Sequence, residues 1–152
     1  MATVRLQEEP FDPAVEAKRH PLDTATGAVV TFTGHVRGGG DGVEALVLEH
    51  YPGMTEKEMQ RIATEAERRW PLQACHVVHR YGRLRPGEPI VFVLTASAHR
   101  KAAFEAAEFL IDRLKTRAPF WKREIAATGT RWVEVRAADE RAAGRWRQES
   151  RE

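Results

Sequence analysis

The β-branched, apolar segments of this chain come in pairs, and helical periodicity fills the stretches between the pairs. GAVVTFTGHV (Gly27 to Val36) and VEALVLEHY (Val43 to Tyr51) alternate as half-buried strands do, the second with Val43, Ala45, Val47 and Glu49 on one face. Gly38, Gly39, Gly40 and Gly42 lie in the loop between them, so the two strands are expected to pair antiparallel. A second hairpin is expected from Cys75 to Leu84 and Pro89 to Ala96, turned through Arg85, Pro86 and Gly87. Phe120 to Ala126 and Arg131 to Arg136 form a third pair around Thr128 and Gly129. Between the first two pairs, Met59, Ile62, Ala63, Ala66 and Trp70 recur at helical spacing, with Thr55 as the cap and Pro71 as the stop. A long helix is expected from Ala98 to Arg117, capped by Ser97, with Ala103, Ala106, Leu110 and Leu114 as its apolar stripe and Pro119 beyond its end. Asp12 and Pro13 open a short helix to about His20, and the charged tail from Ala138 to Glu152 reads as a frayed helix. Helices placed between strand pairs predict an α+β fold with antiparallel or mixed sheets and two main helices, not a doubly wound sheet.

Of the 152 residues, 42% are hydrophobic, 30% are charged and four are Trp, enough for a packed core and too apolar for a disordered chain. The length fits one domain over residues 1–152, with no repeat and no linker to divide it. No apolar run approaches the roughly 18 residues that cross a bilayer, and the first ten residues carry no leader pattern, so no membrane association and a cytoplasmic location are expected. Cys75 is the only cysteine, which excludes an internal disulfide, and no Cys/His spacing suits a metal. The glycine loop precedes a strand and no phosphate-loop pattern is present, which argues against a nucleotide cofactor. Lys and Arg number 24 against 22 Asp and Glu; the net charge of +2 does not imply nucleic acid, yet KTRAPFWKR (Lys115 to Arg123) gathers four cations and no acid.

Three places draw attention on chemical grounds. His99 and Arg100 stand at the start of the long helix, where free N–H groups and the macrodipole favour an anion and disfavour side-chain cations by about 0.3–1 kcal/mol each. Either they grip a phosphate or carboxylate, or Arg100 and Lys101 point to solvent while His99 packs on the apolar stripe. Lys115 sits in the last helical turn, within reach of Asp112 as an ordinary surface pair. Lys122 follows Phe120 and Trp121 in a segment that re-enters the fold; apolar surroundings there would lower its pKa and fit it for nucleophilic or acid–base work. Trp121 and Phe120 serve as core or as a platform. His35 and Arg37, two residues apart at a strand end, share a sheet face, either toward one ligand or as a polar face. Cys75, with no activating neighbour, reads as a buried inert thiol.

AVVTFTGHVR, LEHYPGM, HRYGRLRPGE, SAHR, LKTRAPFWKRE and RWVE, in this order from about Gly27 to Arg136, resemble the catalytic (large) subunit family of molybdopterin synthase. The resemblance implies an α/β hammerhead fold and a sulfurtransferase of molybdenum cofactor biosynthesis. A small ubiquitin-like subunit carrying a thiocarboxylate on its C-terminal glycine delivers two sulfurs in turn to cyclic pyranopterin monophosphate, giving molybdopterin. The large subunit forms the central homodimer of a heterotetramer and uses neither metal nor ATP in this step. Carried over by motif, the site residues are His35, Val36, Arg37, His99, Arg100, Lys115, Lys122, Arg123 and Glu124, with Lys115 and Lys122 as the chemical pair. Arg37, His99 and Arg100 go to phosphate and pterin, and Arg37 or Arg136 could come from the neighbouring subunit. His35 departs from the family's bacterial pattern, where Lys is expected, and the Gly38 to Gly42 loop is less polar than the family's. Two other classes compete: an RNA-binding module built on KTRAPFWKR, whereas the enzyme reading has no nucleic-acid partner, and a partner-binding subunit without activity.

Overall fold

In a computed structural model of the chain, described for residues 2–38, 42–133 and 137–147, eight strands form two four-stranded sheets with four helices. The first sheet comprises β1 (Thr3–Gln7), β4 (Leu72–Arg80), β6 (Pro89–Ser97) and β2 (Ala28–His35), in that order. It is mixed: β1 runs parallel to β4, and the other pairs are antiparallel. The second is wholly antiparallel, in the order β5 (Gly82–Leu84), β3 (Val43–His50), β7 (Phe120–Ala126) and β8 (Gly129–Val133). The α+β expectation agrees with this arrangement.

Sheet faces follow from the strand alternation. Cys75 and Val77 on β4 and Val93 on β6 join a core with Met59, Ile62, Ala63 and Ala66 of α2 (Met54–Arg69) and Phe109, Leu110 and Leu114 of α3 (Arg100–Arg117). On the opposite face, Val78, Phe92 and Leu94 meet Phe11 and Ala17, the latter in α1 (Pro13–Lys18), which Asp12 caps by accepting the N–H of Ala14 at 2.9 Å. A third cluster, Val36, Leu46, Leu48 and Leu84, fills the join between the sheets. Among the described residues no helix is long and apolar enough to cross a membrane.

Several expectations need correction. β2 and β3 do not form a hairpin: β2 pairs with β6, and β3 with β5 and β7 in the other sheet, while Gly39, Gly40 and Asp41 of the expected glycine loop lie outside the described residues. Alternation marks a strand but does not name its partner. The second hairpin's first arm is two strands: the chain leaves the first sheet at Tyr81, and Gly82, at φ +94° with a Cβ position 3.0 Å from Glu8, starts β5 in the second sheet. On β3 the buried face is Leu46 and Leu48, with Ala45 buried beside the register shift at Val43/Ala45. β1 was not foreseen. Thr55 and Ser97 are not caps; Gly53 and His99 hold those positions without side-chain cap bonds. Ser97 ends β6, and its hydroxyl donates to the Pro71 carbonyl at 2.8 Å. The tail is more than a frayed helix, because α4 (Ala137–Gly144) leads to Trp146, which is buried against Trp70 and Phe109. Arg136 and residues 148–152 lie outside the described residues.

Candidate functional site

Helix α3 ends at Arg117, and three residues later β7 begins, so the chain turns sharply between Lys115 and Lys122. The turn is fastened from beneath. Thr55, fully buried in the first turn of α2, donates its hydroxyl proton to the Pro119 carbonyl at 2.8 Å and accepts the Tyr51 N–H at 2.9 Å. Lys115 emerges exposed from the last turn of α3. Asp112 is not its partner; that carboxylate accepts from Arg145 at 2.9 Å and from the Trp146 indole at 2.7 Å.

Lys122 sits mid-strand in β7, between Leu48 of β3 and Val133 of β8, and is half-buried. Burial is the largest cause that holds its pKa below the usual lysine value, and the charge of Lys115 adds to it; Asp139 of α4 and Glu124 act weakly the other way. Phe120 shares the Lys122 face of the strand and carries His79 of β4 flat against its ring, centroids 4.1 Å apart and planes 19° apart. Burial pushes the His79 imidazole down to about 4, and the charges on Lys122 and Lys115 push the same way, while its Nδ1 lies 2.8 Å from the Arg80 carbonyl. At neutral pH the site therefore holds two amines of depressed or exposed character above a neutral imidazole. His79 was not singled out from the sequence. Its signal was its place in HRYGRLRPGE, the second histidine, after His76, of a strand, and one that only its neighbours make chemical.

Alternation separates the rest of the KTRAPFWKRE motif. Glu124 lies on the Lys122 face and accepts from Arg131 at 2.7 Å. Arg123 lies on the other face, paired with Glu49 at 2.9 Å and over the Trp132 ring at 5.4 Å. Trp121, Tyr51 and Trp132 are about half exposed, Trp121 and Tyr51 in ring contact, so that face of the second sheet presents aromatic surface to solvent.

His35, Val36 and Arg37 stand at the end of β2. Val36 is buried, its N–H donating to the Glu88 carbonyl at 2.9 Å, and this turns exposed His35 and Arg37 outward on either side of it. The His35 Nδ1 lies 3.0 Å from the Gly87 carbonyl. His35 faces Pro89 across β6 and His79 faces Val91, so strand spacing places them about 10–12 Å apart at the same end of the first sheet. His99 and Arg100 are at the other end. Exposed at the start of α3, they are separated from Lys115 by about 22 Å of helix. No acid lies in that first turn, so its free N–H groups face solvent beside two potential cations. One chain thus brings together Lys115, Lys122 and His79, sets His35 and Arg37 at the same sheet end, and keeps His99 and Arg100 far away. Cys75 is 1% exposed and its thiol is raised to about 12 by burial, which suits core packing and not sulfur chemistry.

Comparison with known proteins gives this arrangement a context. The family model described as MoaE protein matches residues 6–117. The molybdopterin synthase catalytic subunit of Pseudomonas aeruginosa is 56% identical over 146 residues, which cover 94% of this chain and 97% of that protein. The solved structure of a molybdopterin biosynthesis MoaE protein from Burkholderia ambifaria superposes with a TM-score of 0.78 at 48% identity, over 96% of this chain and 98% of that one. A Helicobacter pylori structure, described as a complex of subunits 1 and 2 of molybdopterin-converting factor, matches with a TM-score of 0.70 over 88% of this chain and 91% of that one; at 20% identity the likeness is one of fold.

Proposed function

This chain belongs to the MoaE family of molybdopterin synthase catalytic subunits, which act in molybdenum cofactor biosynthesis, and from that premise we propose that Lys115, Lys122 and His79 form the centre of its sulfur transfer. The observation that carries the reading is the depressed pKa of half-buried Lys122 beside Lys115 and over the neutral His79. The donor is the thiocarboxylated C-terminus of a small ubiquitin-like partner, and the acceptor is cyclic pyranopterin monophosphate. The Helicobacter pylori structure, a complex of subunits 1 and 2, supports a second subunit as the partner, and the thiocarboxylate on it is part of the proposal.

Lys115, exposed and charged, pairs with the thiocarboxylate and positions it. The thiocarboxylate sulfur attacks an electrophilic side-chain carbon of the pterin, forming the new C–S bond while the oxygen at that carbon departs with the electron pair and is protonated, so that donor and pterin are joined as a thioester. When water then adds to the acyl carbon, negative charge builds on the acyl oxygen; the acyl C–S bond breaks, the thiolate stays on the pterin, and the donor leaves as a carboxylate. Two ammonium groups facing that oxygen stabilise the charged stage, and Lys122, which loses its proton more readily than an exposed lysine, moves the proton of the attacking water.

His99 and Arg100 are assigned to the substrate's phosphate, by a free helix start and a forked guanidinium. They lie too far from Lys122 of their own chain to share one small molecule with it. A second copy, giving its helix start to the first copy's lysines, completes the site, and we assign the protein to a homodimer within a heterotetramer, acting in the cytoplasm without metal or cofactor. The half-exposed aromatic face of Trp121 and Trp132 offers apolar area for such an assembly.

The test is a single-turnover assay with thiocarboxylated small subunit and cyclic pyranopterin monophosphate, following dithiolene-bearing pterin. Product is expected with the unmodified chain and none with Lys115→Ala or Lys122→Ala. Full turnover by Lys122→Ala would overturn the site, whereas binding of the small subunit without any turnover would leave a partner-binding subunit. Absence of a steep salt-dependent affinity for RNA separates the enzyme from an RNA-binding module.

A further inference from the structure

Away from these lysines, a hollow of about 330 Å³ opens between α2 and α3, and six arginines line it: Arg61, Arg68, Arg69, Arg113, Arg117 and Arg147. Arg113 and Arg117 sit two residues either side of Lys115 on α3, which puts both about 200° round the helix from it and on a separate surface. Only two acids share the lining, Glu58 and Glu65, and both are engaged: Glu58 with Arg61 at 3.3 Å, Glu65 with Arg69 at 2.7 Å and with Arg68. Among the described residues no carboxylate pairs with Arg113 or Arg117.

Two of these guanidinium groups are buried. The side chain of Arg69 is 3% exposed; its Nε and Nη1 reach Glu65 and the Trp146 carbonyl, but its Nη2 is buried without a partner. Arg113 is 8% exposed and its Nε is likewise unpartnered. Both stand over the Phe109 ring, at 4.7 and 4.8 Å from its centroid. Burial, with the charges on Arg117 and Arg69, presses on the protonated state of Arg113, and the more weakly felt charge of Glu65 acts the other way. Like charges buried around one ring with donors unused are costly unless an anion completes them.

We propose that this hollow is a second anion site, distinct from the sulfur-transfer centre, which takes a diphosphate-type ligand between the α2 and α3 arginines. Forked guanidinium donors match phosphoryl oxygens two at a time, and the excess of six arginines over two acids suits a ligand with more than one charge. The ligand is either free diphosphate or the diphosphate of a nucleotide.

Isothermal titration of the full chain with inorganic pyrophosphate, and separately with ADP, at constant ionic strength tests it. Saturable binding at one site per chain is expected, weakened at least about fivefold by Arg117→Ala and by Arg61→Ala, both substitutions at the rim, and retained in Lys122→Ala. Equal affinity for the two probes assigns the site to free diphosphate, and tighter ADP binding to a nucleotide. No binding up to about 10 mM, or binding lost in Lys122→Ala and kept in Arg117→Ala, would overturn the proposal.

Discussion

His79 lies flat on Phe120, ring centroids 4.1 Å apart, and the stack joins the first sheet to the second directly beside Lys122. In the unfolded chain the imidazole takes a proton near pH 6.5; in the folded chain burial delays this to about 4. The folded state therefore binds fewer protons between those values, and stability rises with pH across the window. Lowering the pH from 6.5 to 4 is expected to cost up to about 3 kcal/mol through this one residue. Urea unfolding at a series of pH values should show a shallower acid loss for His79→Gln than for the unmodified chain. His20, also held low by burial, contributes equally to both proteins and cancels in the comparison. Identical acid slopes would show that His79 is not buried neutral.

Lys115→Ala should raise the pKa of Lys122, because it removes the like charge that helps depress it while leaving burial in place. Stability should change by no more than about 0.5 kcal/mol, since Lys115 is exposed and has no carboxylate partner among the described residues. Carbon-13 NMR of reductively methylated lysines reads the shift directly. An unchanged Lys122 titration would mean that the two amines do not interact.

Thr55 is the fastening of the turn that sets the two lysines in place. Thr55→Val keeps the shape and deletes the hydroxyl, leaving the Pro119 carbonyl and the Tyr51 N–H without it, at an expected cost of about 1–3 kcal/mol. If the turn positions Lys115 against Lys122, the single-turnover rate should fall while affinity for the small subunit holds, and Thr55→Ser should restore it. A rate that follows stability alone, with no recovery in Thr55→Ser, would reduce Thr55 to packing.

How far the sequence reveals this protein depends on the range of the interaction concerned. Asp12 and Pro13 announce α1 because capping is a matter of neighbouring residues, and the stripes on α2 and α3 announce which faces are buried. Thr55 and Ser97 look like caps for the same local reason, but each hydroxyl is spent on a distant carbonyl, Pro119 and Pro71, which no local pattern contains. The partners of β2 and β3 are non-local too, and so is the stack that makes His79 chemical. The desolvation of Lys122 was legible, because a lysine after Phe120 and Trp121 in a returning strand has little choice. The separation of Arg123 from it is strand alternation, a rule available from the sequence and outweighed there by adjacency in the motif.

Trp146 marks the limit of reading a tail by its charge. It is 7% exposed, meets Trp70 and Phe109 edge-on at 5.5 and 5.6 Å, and donates to Asp112 at 2.7 Å. Trp146→Ala should therefore cost about 3–5 kcal/mol, a core-sized loss. Chemical denaturation measures it; a change under about 0.5 kcal/mol would return the tail to the solvent-exposed role its composition suggests.

Arg100 of one chain starts α3 and Lys122 lies on β7 beyond the other end of that helix, and this separation makes the two-copy site testable by mixing. Arg100→Ala and Lys122→Ala chains should each be inactive as homodimers, since every pocket lacks one component. Exchanged in equal amounts, half of the dimers are mixed, and in each mixed dimer both defects fall in one pocket and leave the other intact. Activity should recover to about a quarter of that of the unmodified protein, with the closed two-fold symmetry of a dimer setting the fraction. Recovery can arise only if Arg100 of one copy serves Lys122 of the other. Mixed samples that exchange subunits, as shown by mass spectrometry, and yet stay inactive would place both residues in a pocket built by one chain, or remove Arg100 from the site.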